Sequence, residues 1–189
     1  MQLFVSSILR SKISNKWIFL DNDFLTSLFK EKELFKLAIS DILSSGHLMI
    51  DPLTKFEFLR DIFIPKERDA SEEFVEQPVF VPVANHQQIF SKIQENALLL
   101  SKIYSHKGVP KKKCSAVDLF LAGRLMLNPG SSVLITGNKK DFPICVFDVV
   151  GVINFEQEGD GSMRAYTVVE FSREKFEKSF DELNKVEEK

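Results

Sequence analysis

Acidic side chains stand just beyond two of the most apolar runs in this chain. Trp17-Ile18-Phe19-Leu20 stops at Asp21, with Asn22 and Asp23 following. Val133-Leu134-Ile135 ends in Thr136-Gly137-Asn138, with Asp141 three residues on. Asp118 falls in the first turn of the helical pattern before that second run, and Glu57 lies one to two turns into the pattern that opens at Asp51-Pro52. In a parallel α/β sheet, ligands gather beyond the carboxyl ends of the strands, so these four acids are expected at one edge. Carboxylates held together repel one another unless a cation lies among them. Mg²⁺ or Mn²⁺ suits such a set, because hard cations take oxygen ligands, keep several waters and need few carboxylates. With no Cys/His cluster, the sequence argues against zinc. His47, His86 and His106 are scattered, which disfavours an imidazole-pair mechanism through a 2′-hydroxyl.

Each acid also has a plain structural use, and Asp21 or Asp23 can simply cap the helix that follows. Ser115-x-x-Asp118 matches a capping box. Glu57 shares a polar helical face with Thr54, Arg60 and Asp61, and Asp141 can cap a turn. Taken singly, these three read as structural. Asp21 is the exception, since a charge that ends so apolar a strand calls for a use.

The elements that must carry these residues follow from periodicity. The continuous run Trp17–Leu20 suits a strand buried on both faces. A helical pattern through Leu25, Leu28, Leu34, Phe35, Ile39 and Ile42 ends near Gly46, and a short apolar run over 47–50 leads to Asp51-Pro52, an N-cap with proline at the first helical position. Three prolines and a charge cluster make residues 65–84 a loop or arm. A long helix is expected over 86–105, another from Ser115, then a strand over 133–136 and a last sheet strand over 144–150. The expected fold is α/β, a three-layer α/β/α sandwich around a mostly parallel sheet spanning residues 1–150. Residues 151–189, with a turn at 158–161 and a final helix showing Phe176, Phe180 and Leu183, read as a hairpin/helix appendage packed on that domain or used for partner contacts.

Composition narrows the class. The 189 residues carry 25 Lys plus Arg against 27 Asp plus Glu, a net charge of −2, so no strongly basic chain advertises nucleic-acid binding. Hydrophobic residues at 44% exclude a disordered acidic tail. Eighteen Phe against two Tyr and one Trp imply packing mass, because Phe has no polar handle. Two cysteines are too few for a disulfide scaffold and fit a reducing, cytoplasmic setting. MQLFVSSILR has no basic segment ahead of its apolar patch, so it does not read as a signal peptide, and no run approaches a membrane span.

Three segments, WIFLDNDFLTSLF, PLTKFEFL and CSAVDLFLAGRLMLNPGSSVLITGNKKDFP, resemble the PIN-domain family of metal-dependent ribonucleases, which includes VapC-like toxins. The likeness runs from about Trp17 to Val150 and is most specific in the closing stretch. It implies the same three-layer sandwich, with Asp21, Glu57, Asp118 and Asp141 as the acidic, metal-binding catalytic set. Asp23, Thr136 and Asn138 match its supporting polar positions. Asn138 stands where many members carry Asp, which removes a charge from a second metal site. The implied chemistry is attack of a Mg²⁺- or Mn²⁺-activated water on an RNA phosphodiester, leaving a 5′-phosphate and a 3′-hydroxyl. Lys111, Lys112, Lys113, Lys139 and Lys140, with Lys55 and Arg124, are candidate phosphate contacts beside the acids. An antitoxin protein and a homodimer are the partners the likeness leaves open. A PIN-like module that binds RNA or protein without catalysis is the competing reading.

Overall fold

Six strands form one curled, mixed sheet, a half-barrel in outline, with the spatial order β1-β5-β6-β4-β2-β3. The computed structural model describes residues 2–60, 62–84, 86–109, 114–156 and 163–187. In chain order these hold β1 (Gln2–Phe4), α1 (Ser7–Ile13), β2 (Trp17–Leu20), α2 (Asn22–Lys30) and α3 (Lys32–Ala38), which runs on into a π-helical stretch, Ile39–Leu43. There follow β3 (His47–Met49), α4 (Pro52–Arg60), α5 (Pro65–Val75), α6 (Gln87–His106), α7 (Ala116–Leu125), β4 (Ser132–Thr136), a 3₁₀ turn (Lys139–Asp141), β5 (Phe147–Glu156), β6 (Met163–Phe171) and α8 (Arg173–Glu187).

The expected mostly parallel sheet is overturned. Only β2–β3 and β2–β4 pair in parallel, whereas β4–β6, β6–β5 and β5–β1 are antiparallel. The continuous apolar runs did mark the parallel part, since β2 and β4 are neighbours in register from Trp17–Ser132 to Leu20–Ile135. The error lies in the tail. All five residues of β4 are buried, so this strand needs a neighbour on each edge, and the second neighbour is β6. The hairpin/helix appendage is therefore no appendage. Residues 147–171 supply two interior strands of the sheet, and α8 adds Leu183 to the core.

Alternation along the strands sends side chains to two cores. Ile18, Leu20, Val133, Ile135, Tyr166 and Val168 face α1 to α5, while Phe19, Leu134, Val169 and Phe171 face α6, α7 and α8. Phenylalanine fills the first core as a ring cluster of Phe29, Phe35, Phe58, Phe74 and Phe80, with centroids 5.1–6.2 Å apart in tilted or edge-on contact. Two of those rings come from the segment read as a loop or arm. Pro65 occupies the first turn of α5, the mixed charges make its outer face, with an Arg68–Glu72 pair at 2.7 Å, and Ser71, Phe74 and Val75 are buried. A short, mostly charged helix with one buried stripe leaves too few apolar positions for its period to show.

The second core depends on a close helix crossing. A Cβ at Gly123 in α7 would lie 2.7 Å from the Ile93 carbonyl oxygen of α6, so only glycine lets the two backbones approach this far. No helix among the described residues is long and apolar enough to cross a membrane.

Candidate functional site

Asp21 follows the last residue of β2 and caps α2, its Oδ1 accepting from the Asn22 amide at 2.7 Å. Its Oδ2 accepts from the Thr136 hydroxyl at 2.7 Å, which joins the end of β2 to the end of β4. The parallel register makes this contact possible, because Leu20 and Ile135 stand side by side and both chains leave the sheet together. Asp21 is only 6% exposed. Burial, then the negative charge of Asp23 and, more weakly, that of Asp118 lift its carboxyl to about 7, against the downward pull of the Thr136 and Asn22 hydrogen bonds. It has no ion-pair partner among the described residues.

Asp23 spans the same gap from the other side. Its Oδ1 accepts from the Phe24 amide at 2.6 Å and its Oδ2 from the Gly137 amide at 2.7 Å. Asp23 is exposed, yet desolvation by the surrounding chain, with a further push from Asp118, raises its carboxyl above the usual range. A Cβ at Gly137 would fall 2.2 Å from Asp23 Oδ2, so a side chain here requires that carboxylate to move away. Gly137→Ala is expected to expel the Asp23 carboxylate and to lower stability by about 1–3 kcal/mol, the scale of a lost charged hydrogen bond. Urea unfolding checks this, and an unchanged midpoint would show that Asp23 is not held as described.

Asp118 sits half-buried in the first turn of α7 in a full capping box. Ser115 Oγ accepts from the Asp118 amide at 3.1 Å, and Asp118 Oδ2 accepts from the Ser115 amide at 2.7 Å. Its charge nevertheless reaches Asp21 and Asp23, so the cap and the site share one residue.

Asp141, only 2% exposed, closes the 3₁₀ turn and accepts a hydrogen bond from the Asn138 side-chain amide. Asn138 in turn donates its backbone N–H to Thr136 Oγ1 at 2.9 Å. The polar residues Thr136 and Asn138 thus tie Asp141's turn to Asp21. Glu57 lies half-buried on α4, a helix packed against α2 and α7. Glu57 and Asp141 do not complete a preformed cage. Among the described residues, no three His, Cys, Asp or Glu side chains stand close enough together to hold a metal ion.

Of the basic candidates, Lys139 and Lys140 are exposed in the turn that ends at Asp141, with no ion-pair partner among the described residues. Lys111, Lys112 and Lys113 lie outside the described residues. Arg124 is not on a rim at all. It is 5% exposed and pairs with Asp51 at 2.8 Å. Lys55 is engaged with Glu76 at 3.2 Å. Phe142 is buried against Phe147 and serves packing. His86 precedes the 20-residue α6 and His106 ends it, about 30 Å of helix away.

Two residues beside the acids carried no sequence signal of their own. Cys114 approaches the Asp141 carbonyl oxygen through Sγ at 3.9 Å, and burial followed by the charges of Asp118 and Asp141 pushes its thiol up to about 12, which disfavours the thiolate. Tyr104 was legible as a buried position of α6, but not as a hydroxyl lacking a partner among the described residues. No family model, curated protein or solved structure matches this chain.

Proposed function

We propose that this chain is a metal-dependent ribonuclease whose reaction centre is the Asp21–Asp23–Asp118 edge. The observation that supports the reading is Asp21, a buried carboxyl whose charge is opposed by those of Asp23 and Asp118, with no cationic side chain on it among the described residues. A cap needs one oxygen and works at the surface. A capping role does not account for burying this charge against its own kind.

The residues fit a hard cation. Mg²⁺ usually keeps several waters and is held by one or two carboxylates, so Asp21 with Asp23 or Asp118 suffices without a third ligand. When bound, Mg²⁺ or Mn²⁺ supplies a low-pKa water and charge stabilisation for an in-line attack on the phosphodiester. The protein's own part is positional. Thr136 and Asn22 fix both Asp21 oxygens, the Gly137 amide fixes Asp23, and Asn138 holds the Asp141 turn against the same strand end. Lys139 and Lys140, exposed and without an ion-pair partner among the described residues, offer positive charge for backbone phosphates next to that turn.

A second reading, an RNA-binding module without catalysis, is favoured by one fact: both oxygens of Asp21 and of Asp23 are already engaged by protein donors. Incubating the protein with labelled single-stranded RNA separates the two. The expected result is cleavage in Mg²⁺ or Mn²⁺, products with 5′-phosphate and 3′-hydroxyl ends, and none in EDTA. Cleavage that persists in EDTA overturns the proposal. Salt-sensitive binding with no cleavage under any cation establishes the module instead.

A further inference from the structure

The acid edge has a support on β6. Tyr166 is 4% exposed, and its hydroxyl meets Ser27 Oγ at 2.7 Å. Ser27, also buried, lies one turn along α2 from Asp23 and donates to the Asp23 carbonyl oxygen at 3.0 Å. A carbonyl only accepts, so the one Ser27 hydroxyl proton is used there and the Tyr166 hydroxyl must donate to Ser27. The bonds therefore run in one direction, from the sheet to the backbone of an acid-bearing turn. The Tyr166 ring packs edge-on against Phe24, with centroids 4.7 Å apart. Its Cδ1 also comes within 3.7 Å of the point where a Cβ on Gly137 would stand. Tyr166 thus borders both sides of the gap that Asp23 spans, the first turn of α2 and the end of β4.

Stability gives little reason for these two hydroxyls. A buried hydrogen-bonded pair is nearly matched by two apolar groups of the same shape. The chain carries 18 Phe against 2 Tyr, and every other ring in this core, among the described residues, is Phe. What the pair opposes is charge. The charge of Asp23 acts against Asp21, and that of Asp118 against both, which presses the first turn of α2 away from its neighbours. Tyr166 can resist that pressure because β6 is hydrogen-bonded between β5 and β4. The next residue, Thr167, stands in register with Thr136, which holds Asp21.

We propose that Tyr166 is a positioning residue: acting through Ser27, it holds the first turn of α2 so that Asp23 stays on the Gly137 amide and beside Asp21. The consequence, tighter binding of a divalent cation at this edge, rests on the ribonuclease reading. The tether itself belongs to the free protein. Outer groups that orient a metal-binding carboxylate commonly matter about 10–100-fold to affinity.

The test compares the wild type with Tyr166→Phe and with Tyr166→Phe/Ser27→Ala, which removes donor and acceptor together. Urea unfolding reports the fold. The Gly137 amide in ¹H–¹⁵N spectra without metal reports the Asp23 contact, and electron paramagnetic resonance of free Mn²⁺ reports the cation site. For the double variant, the expected result is a nearly unchanged urea midpoint, a Gly137 amide proton moved upfield and a Mn²⁺ Kd raised about tenfold. Tyr166→Phe should fall between it and the wild type. A Gly137 amide unmoved in both variants overturns the inference, since the pair then serves packing alone. A moved amide with an unchanged Mn²⁺ Kd also overturns it, because the site then works without the tether. A wild type that neither binds Mn²⁺ nor cleaves RNA removes the ribonuclease reading. In that case a moved amide still upholds the tether, and an unmoved one overturns it as well.

Discussion

Asp21→Asn is expected to abolish cleavage and, in the same protein, to raise stability above pH 7. The carboxyl titrates near 3.8 when unfolded and near 7 when folded. Between those values the folded chain holds a proton that the unfolded chain has released, so wild-type stability falls as pH rises from about 4 to about 7. Above pH 7 the whole penalty is in force, about 4 kcal/mol for a shift of this size. Asparagine carries no charge at any pH. Its carbonyl oxygen still accepts from the Asn22 amide, while its amide meets the Thr136 hydroxyl and needs that hydroxyl to turn, which takes back part of the gain. Urea titrations without divalent cation should therefore show the variant more stable by about 2–4 kcal/mol at pH 8 and equal to the wild type at pH 4. Millimolar Mg²⁺ should narrow the gap by stabilising only the wild type. A variant that is no more stable at pH 8 would mean that Asp21 bears no unfavourable charge, and the reason for seeking a cation there would go.

Opposed effects on stability and activity are the expected mark of a centre built from buried like charge. The placement of Asp21 was easier to read than the fold. Asp21 announced itself locally: an acid ending a four-residue apolar strand has few uses. That the ends of the runs at Asp21 and Thr136 fall at one sheet edge was legible, since continuous apolar runs suit parallel strands, but the hydrogen bond between them was not. The partner of β4 on its other edge was not legible. Residues 163–171 read as an ordinary short strand after a turn, and nothing local says whether such a strand joins an edge or enters between two others. The choice is made by burial over the whole sheet, where Val168 and Val169 complete opposite cores. Arg124 misled for a related reason. One arginine near the end of a helix looks the same in sequence whether it faces phosphate or a buried aspartate.

That arginine carries the largest expected loss. Asp51 and Arg124 are each about 5% exposed, and both Nε and one terminal nitrogen of the guanidinium reach Asp51 Oδ2 at 2.8 Å. Arg124 also donates to the Ala84 carbonyl at 3.1 Å, while Asp51 Oδ1 accepts from the Leu53 amide at 2.9 Å at the start of α4. The pair thus fastens α4, which bears Glu57, to α7, which bears Asp118. Arg124→Met keeps most of the side-chain volume but strands a buried carboxylate, and it should lower stability by about 3–5 kcal/mol. Asp51→Asn/Arg124→Met removes both charges and keeps an N-cap for Leu53, so it should recover more than half of that loss. The recovery, measured by urea unfolding of the two single variants and the double, is the signature of a buried pair. A phosphate-binding arginine behaves in the opposite way. Its removal would leave the fold intact and make the logarithmic salt dependence of RNA binding shallower by about one unit. Unchanged stability with a shallower salt slope would return Arg124 to the RNA surface and detach α4 from the site.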